Sequence, residues 1–321
     1  MNPSNDSSHV RHQGDVPAEL KAIFISIYVI LIIVTIFGNF LVIKAFHKFP
    51  SLQNASNTIL ASLSVADILM TVDFMLHIAN IIIGKESHPR VICSLASSFN
   101  LTFNSIIILH LALISIERFI AIKFALRYHT IVTYRRAIIA SIVIWLWGIM
   151  VSFGFPQALK TDGLRTFKEF LQALTPCFDR HHEPFIVKSA SVTAYLVFLV
   201  TSLLLVPILI ILTSYSYIFT VACKQRRQIQ DENNLQGELT MKREMKGART
   251  VAIVVGICLV SFIPLLVVLF LRFLTSTSIR AHQMYAVYLV ASLNACWNPL
   301  IYCWRREDLR SSFKKLLKWS A

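Results

Sequence analysis

Long apolar stretches alternate with short polar connections along nearly the whole chain. They predict helices at roughly 22–46, 56–83, 91–124, 135–156, 189–223, 244–274 and 281–304. Each is long enough to cross a bilayer, which takes about 20 apolar residues. The excess length predicts tilt or extension beyond the hydrocarbon. Only the connection 157–188 is long. The expected fold is an all-α membrane protein, a seven-transmembrane helix bundle over 21–304. A tail at 1–20 precedes it. Residues 305–321 follow as a short amphipathic C-terminal helix and tail. There Leu309, Phe313, Leu316 and Leu317 recur at helical spacing with basic residues opposite, the pattern of a helix lying on a membrane face.

Polar residues interrupt these stretches at mid-depth or at their ends. They are Asn39, Asp67, the pair Glu117-Arg118, Asn294 and Asn298. An ionised side chain in hydrocarbon costs roughly 2.5–3.5 kcal/mol on insertion scales. A chain that only spanned the membrane would carry leucine there, so the polar thread points to a protein that transmits something. Pro207, Pro264 and Pro299 each leave a helix carbonyl without its usual donor, which neighbouring groups must satisfy.

Composition agrees with a membrane domain. The chain is 55% hydrophobic and 15% charged, with mean hydropathy +0.63. That is too apolar for a soluble globular protein. The net charge of +14 does not indicate nucleic acid. With the N-terminus outside, most of the lysines and arginines fall on the cytoplasmic side, as the positive-inside rule requires, where they face anionic lipid. No cleaved signal peptide is expected. Asn5-Asp6-Ser7 is a glycosylation sequon on the outer side. Of six cysteines, only Cys93 and Cys177 fall in the oxidising compartment, where they could pair. No nucleophile, base or metal-ligand cluster converges at one depth, so no enzyme is expected. A receptor and a seven-helix transporter or channel remain as readings. The absence of inverted repeats counts against the latter.

The ordered set Gly38-Asn39, Leu63-Ser64-Val65-Ala66-Asp67, Cys93, Glu117-Arg118-Phe119, Trp145, Cys177, Pro207 with Tyr215, Pro264, and Asn298-Pro299-Leu300-Ile301-Tyr302 resembles the rhodopsin-like (class A) G-protein-coupled receptors over residues 20–318. The segment 125–133 is similar to the second inner loop of melanocortin and adenosine receptors. The resemblance implies a plasma-membrane receptor that activates a heterotrimeric G protein through outward movement of helix 6 when an extracellular ligand binds. It implies a Cys93–Cys177 disulfide. It implies that Arg118 pairs with Glu117 and Glu244 at rest, and that Tyr215 and Tyr302 swing inward on activation. It further implies a polar core of Asn39, Asp67, Asn294 and Asn298.

Departures from the family pattern bear on function. Phe262 stands for the usual tryptophan before Pro264, and Cys258 for the usual phenylalanine. Ile107 and Ala295 stand where serines often complete a sodium shell around the aspartate, so a water network is expected at Asp67 rather than sodium, and no other cofactor. Asn100 replaces the amine-pairing aspartate, which argues against a conventional biogenic amine. Ser292 replaces the retinal lysine. Leu269 and Ser292 replace residues that adenosine receptors use. Asp73 and His77 lie four residues apart on one face, as do Asn100 and Asn104. With Tyr288 and Ser292 they form the expected ligand site in the outer half of the bundle.

Overall fold

The computed structural model describes residues 17–83, 90–154, 190–228, 235–274 and 281–318. Among the described residues there is no strand. We label the helices α1 (Ala18–Lys48), α2 (Ala55–Ile83), α3 (Arg90–Lys123), α4 (Tyr134–Ile149), α5 (190–228), α6 (Leu235–Leu274), α7 (281–305) and α8 (Glu307–Lys318). Six are long and apolar enough to cross a membrane, and α6 contributes the shorter apolar run Ala252–Leu265. The first helix begins inside the segment assigned to the tail. α6 begins nine residues earlier than the apolar pattern indicates, because polar residues 235–243 continue the helix.

Local chemistry sets several boundaries. The Asn54 carboxamide accepts from the Asn57 amide at 3.0 Å and opens α2. The Thr133 hydroxyl accepts from the Arg136 amide and opens α4. α4 widens into π-helix at Met150–Gly154, and α5 does so at Thr201–Leu205. The second widening directly precedes Pro207, which cannot donate to the carbonyl four residues back. The Tyr195 hydroxyl donates to the Val151 carbonyl and ties α5, ahead of its own widened stretch, to the widened stretch of α4.

α7 consists of Ala281–Ser292 and Asn294–Arg305. Pro299 leaves the Ala295 carbonyl without a backbone donor. Asn39 on α1 supplies one from its side-chain nitrogen at 3.2 Å. A Cβ on the neighbouring Gly38 would lie 2.6 Å from Pro299 Cγ, so glycine is what allows this approach.

One continuous core joins all eight helices, and Tyr28, Leu63, Phe74, Ile107 and Tyr302 are among its most buried members. The buried face of α8 is Leu309, Phe313 and Leu316, which enter that same core. At its start Arg306 donates to Asp308 at 2.5 and 3.2 Å. Ile30, Ile33, Phe37, Val143, Leu146, Leu209 and Leu212 face outward, as a lipid-facing surface requires.

Candidate functional site

Three polar clusters lie along the bundle. The first closes the end where α3 stops. Arg118 Nε donates to Glu117 Oε2 at 2.6 Å and Nη2 to Oε1 at 3.0 Å. The same Nη2 donates to Ser56 Oγ at 2.5 Å, at the start of α2. Tyr128, in the connection after α3, donates its hydroxyl to Glu117 Oε1. Glu117 is 2% exposed and Arg118 14%. A pair this buried has given up much hydration, and the Ser56 and Tyr128 bonds satisfy groups the ion pair leaves over. Beside it the Lys123 ammonium lies 5.1 Å from the Phe119 ring and 5.6 Å from the Tyr217 ring, bridging α3 and α5. Tyr215 packs against Ile122 and Ile218. The Glu244 side chain lies outside the described residues.

The second cluster is at mid-depth. Asn298 Nδ2 donates to Asp67 Oδ2 at 2.8 Å, joining α7 to α2. Asn294 does not share that bond. Its nitrogen reaches Cys258 Sγ on α6 at 3.2 Å. Phe262, one turn further along α6, packs half-buried against the main core. Thr35 and Cys296 lie 3.0 Å apart between α1 and α7. The oxygens Asp67 Oδ1, Asn298 Oδ1, Asn294 Oδ1, Asn39 Oδ1 and Ser64 Oγ are buried without a hydrogen-bond partner among the described residues. Ile107 and Ala295, each 2% exposed, add apolar wall.

Mid-depth contacts also reach α4. His110 Nδ1 lies 2.8 Å from the Ile106 carbonyl, so that nitrogen carries the proton. Its Nε2, 2.9 Å from Ser62 Oγ, therefore accepts from the serine hydroxyl. Ser62 in turn accepts from Trp145 Nε1 at 3.1 Å.

The third cluster lies toward the opposite end from Arg118. Asp73 and His77 are both fully buried. His77 Nε2 is 3.3 Å from Asp73 Oδ2, yet the alignment makes no hydrogen bond. Asn100 Nδ2 donates to that same Oδ2 at 3.0 Å. Asn104 donates to Asn100 Oδ1 at 3.1 Å. The His77 ring stacks on Tyr28 at 5.7 Å and meets Tyr288 at 5.4 Å. The Ser292 hydroxyl donates to the Tyr288 carbonyl at 2.7 Å, on its own helix.

Most of the described residues singled out in the sequence fall into these three clusters. Tyr302 joins the core between the first two, 2% exposed. Ser56, Tyr128, His110 and Tyr28 were not singled out. Tyr128 could have been, since it is a phenol in the connection directly after a membrane-boundary carboxylate. Cys177 and Asn5 lie outside the described residues, as does the side chain of Cys93.

Residues 38–302 match the family described as 7 transmembrane receptor (rhodopsin family). The chain is 30% identical to adenosine receptor A2b of Gallus gallus, over 93% of this chain and 89% of that receptor. It is 27% identical to octopamine receptor beta-1R of Drosophila melanogaster, over 95% of this chain and 64% of that one. It is also 27% identical to human adenosine receptor A2a, over 93% of this chain and 73% of that one. The chain belongs to the rhodopsin family of seven-transmembrane receptors. It is thus a multi-pass membrane protein of the receptor class.

Proposed function

We propose that this protein is a plasma-membrane receptor, with its N-terminus outside, that converts binding of an extracellular ligand into activation of a heterotrimeric G protein. The observation that carries the reading is the closed Arg118 network. A half-buried guanidinium is held by Glu117 and Ser56, with Tyr128 on the carboxylate, at the end where α3, α5 and α6 meet. Outward movement of α6 would open that end to a G protein, with Arg118 released and Tyr215 and Tyr302 turning toward it. Glu244 is the further carboxylate proposed to hold Arg118 at rest. A Cys93–Cys177 disulfide and a glycan on Asn5 belong to the same reading.

Ligand recognition is assigned to the outer cluster of Asp73, His77, Asn100, Asn104, Tyr288 and Ser292. Relatives named for adenosine and for octopamine are about equally similar to this chain, so overall likeness selects neither ligand. Asn100 supplies no counter-charge for an amine, and Ser292 spends its hydroxyl on its own helix. At Asp67 the orphaned oxygens are hard donors of the kind a sodium ion accepts. The apolar Ile107 and Ala295 complete no shell, which supports water there.

The test is G-protein activation in transfected cells, for the parent and for Glu117→Gln, both quantified at the surface. Glu117→Gln should raise ligand-independent activation of at least one G-protein subtype. Surface-expressed parent and variant that activate none, while conducting an ion or solute, would overturn the receptor reading.

A further inference from the structure

We propose that the Asp73–His77 pair is a proton-binding site, and that the extracellular proton is a ligand of this receptor. The inference rests on the receptor reading above and deepens it.

Burial is the first reason. Asp73, His77 and Tyr28 are each fully buried, and Asn80, one turn beyond His77, is 1% exposed. A proton is the one ligand that needs no open volume to reach such a place. Charge is the second. A carboxylate among apolar helices needs a counter-charge or a proton. Among the described residues the groups that face it are few. On its own helix there is His77. α3 presents the neutral amides of Asn100 and Asn104. α1 presents Tyr28. α7 presents Tyr288 against His77, with Tyr285 beside Phe24 of α1. Of these only the imidazole of His77 can take up a proton to become a cation.

The third reason is an unmet set of hydrogen bonds. Among the described residues, both ring nitrogens of His77 are buried without a hydrogen-bond partner, and so are Asp73 Oδ1 and Tyr28 Oη. An imidazolium carries two donors and no acceptor. Two donors and two oxygens free to accept thus lie within one cluster, while Asn100 occupies the other aspartate oxygen. The described geometry accommodates the ring without bonding it. A geometry in which the ring turns to donate to Asp73 binds the proton more tightly.

The sign follows from linkage. A ligand shifts a receptor toward the state that binds it better. The described state has the Arg118 network closed, and it is the state that leaves His77 unbonded. Acidification therefore moves the receptor out of the closed state, and signalling rises as pH falls. The path for this effect is short. Asp73 lies six residues along α2 from Asp67, about 9 Å, and Asp67 holds Asn298 of α7.

The experiment varies extracellular pH from about 8 to about 6 on cells expressing the full-length receptor, with G-protein activation normalised to surface receptor. One linked proton changes an equilibrium by at most about tenfold per pH unit. The parent should gain at least about threefold over this range. His77→Gln, which cannot be charged, and His77→Phe, which keeps the stack on Tyr28, should each lose that gain, as should Asp73→Asn. A flat parent response, or an unchanged gain in a surface-expressed His77 variant, would overturn the proposal. In parallel, purified receptor is unfolded thermally across the same pH range, a readout that needs no G protein. A pH-dependent difference between the parent and the His77 variants, with no signalling at any pH, would sink the receptor reading and leave the proton site standing. The absence of any such difference would sink the proton site.

Discussion

Asn39 of α1 donates to the Ala295 carbonyl of α7 at 3.2 Å, and Ala295 is the residue that Pro299 deprives of a backbone donor. One amide on a distant helix thus repairs the defect that a proline creates. The glycine beside it lets the two helices come close enough to do so.

Removing that donor should be costly. Asn39→Ala leaves the Ala295 carbonyl buried and unmet, a loss of about 1–3 kcal/mol. Gly38→Ala drives a methyl into Pro299 and should cost about 1–3 kcal/mol by overpacking. Thermal unfolding of detergent-solubilised receptor measures both. Midpoints equal to the parent's would show that the α1–α7 contact does not hold the fold.

Tyr128→Phe should raise ligand-independent signalling. It removes one hydrogen bond to the buried Glu117 carboxylate and weakens the network around Arg118. A change of about 1 kcal/mol would shift the resting-to-active ratio about fivefold. Basal activation per surface receptor is the readout, and no rise would leave Tyr128 a loop-packing residue.

The Cys258–Asn294 bond joins α6 to α7 at 3.2 Å. Cys258→Ala removes the acceptor and should raise basal activity, whereas Cys258→Ser keeps an acceptor and should stay near the parent. Equal basal activity in both variants would separate this bond from the movement of α6.

Agonist affinity should be the same in sodium chloride and in choline chloride of equal ionic strength, because Ile107 and Ala295 give Asp67 no hydroxyl shell. A loss of affinity specific to sodium would place the ion at Asp67.

The junction of α7 and α8 should loosen in acid. Burial pushes the Asp308 carboxyl up. The Arg306 guanidinium and nearby backbone amides outweigh that and hold it below the ordinary carboxylate value. A lowered value means the contribution is present above the unfolded-chain value, about 4, and is lost as pH falls through the folded one. Asp308→Asn should abolish that acid sensitivity. Amide hydrogen exchange over α8 at acidic pH would reveal the difference, and identical exchange in parent and variant would count against it.

The sequence by itself determined the helices, the fold class and the polar positions. An apolar run long enough to span a membrane is a local property, and a charge within one is visible without any partner. Asp67, Asn298, Glu117 and Arg118 were legible for that reason. Helix ends were read less well where polar helix continues past the apolar run, as in α6. Tertiary structure decided which polar group meets which. Asn39 and Ala295 are 256 residues apart in sequence, and Asn298 and Asp67 are 231 apart. Ser56 and His110 carry no local signal of their roles, and Asn294 turned to Cys258 rather than to Asp67. A hydrogen bond depends on atoms placed to within tenths of an ångström. That placement is set by the register and crossing of packed helices, which no hydrophobic period encodes.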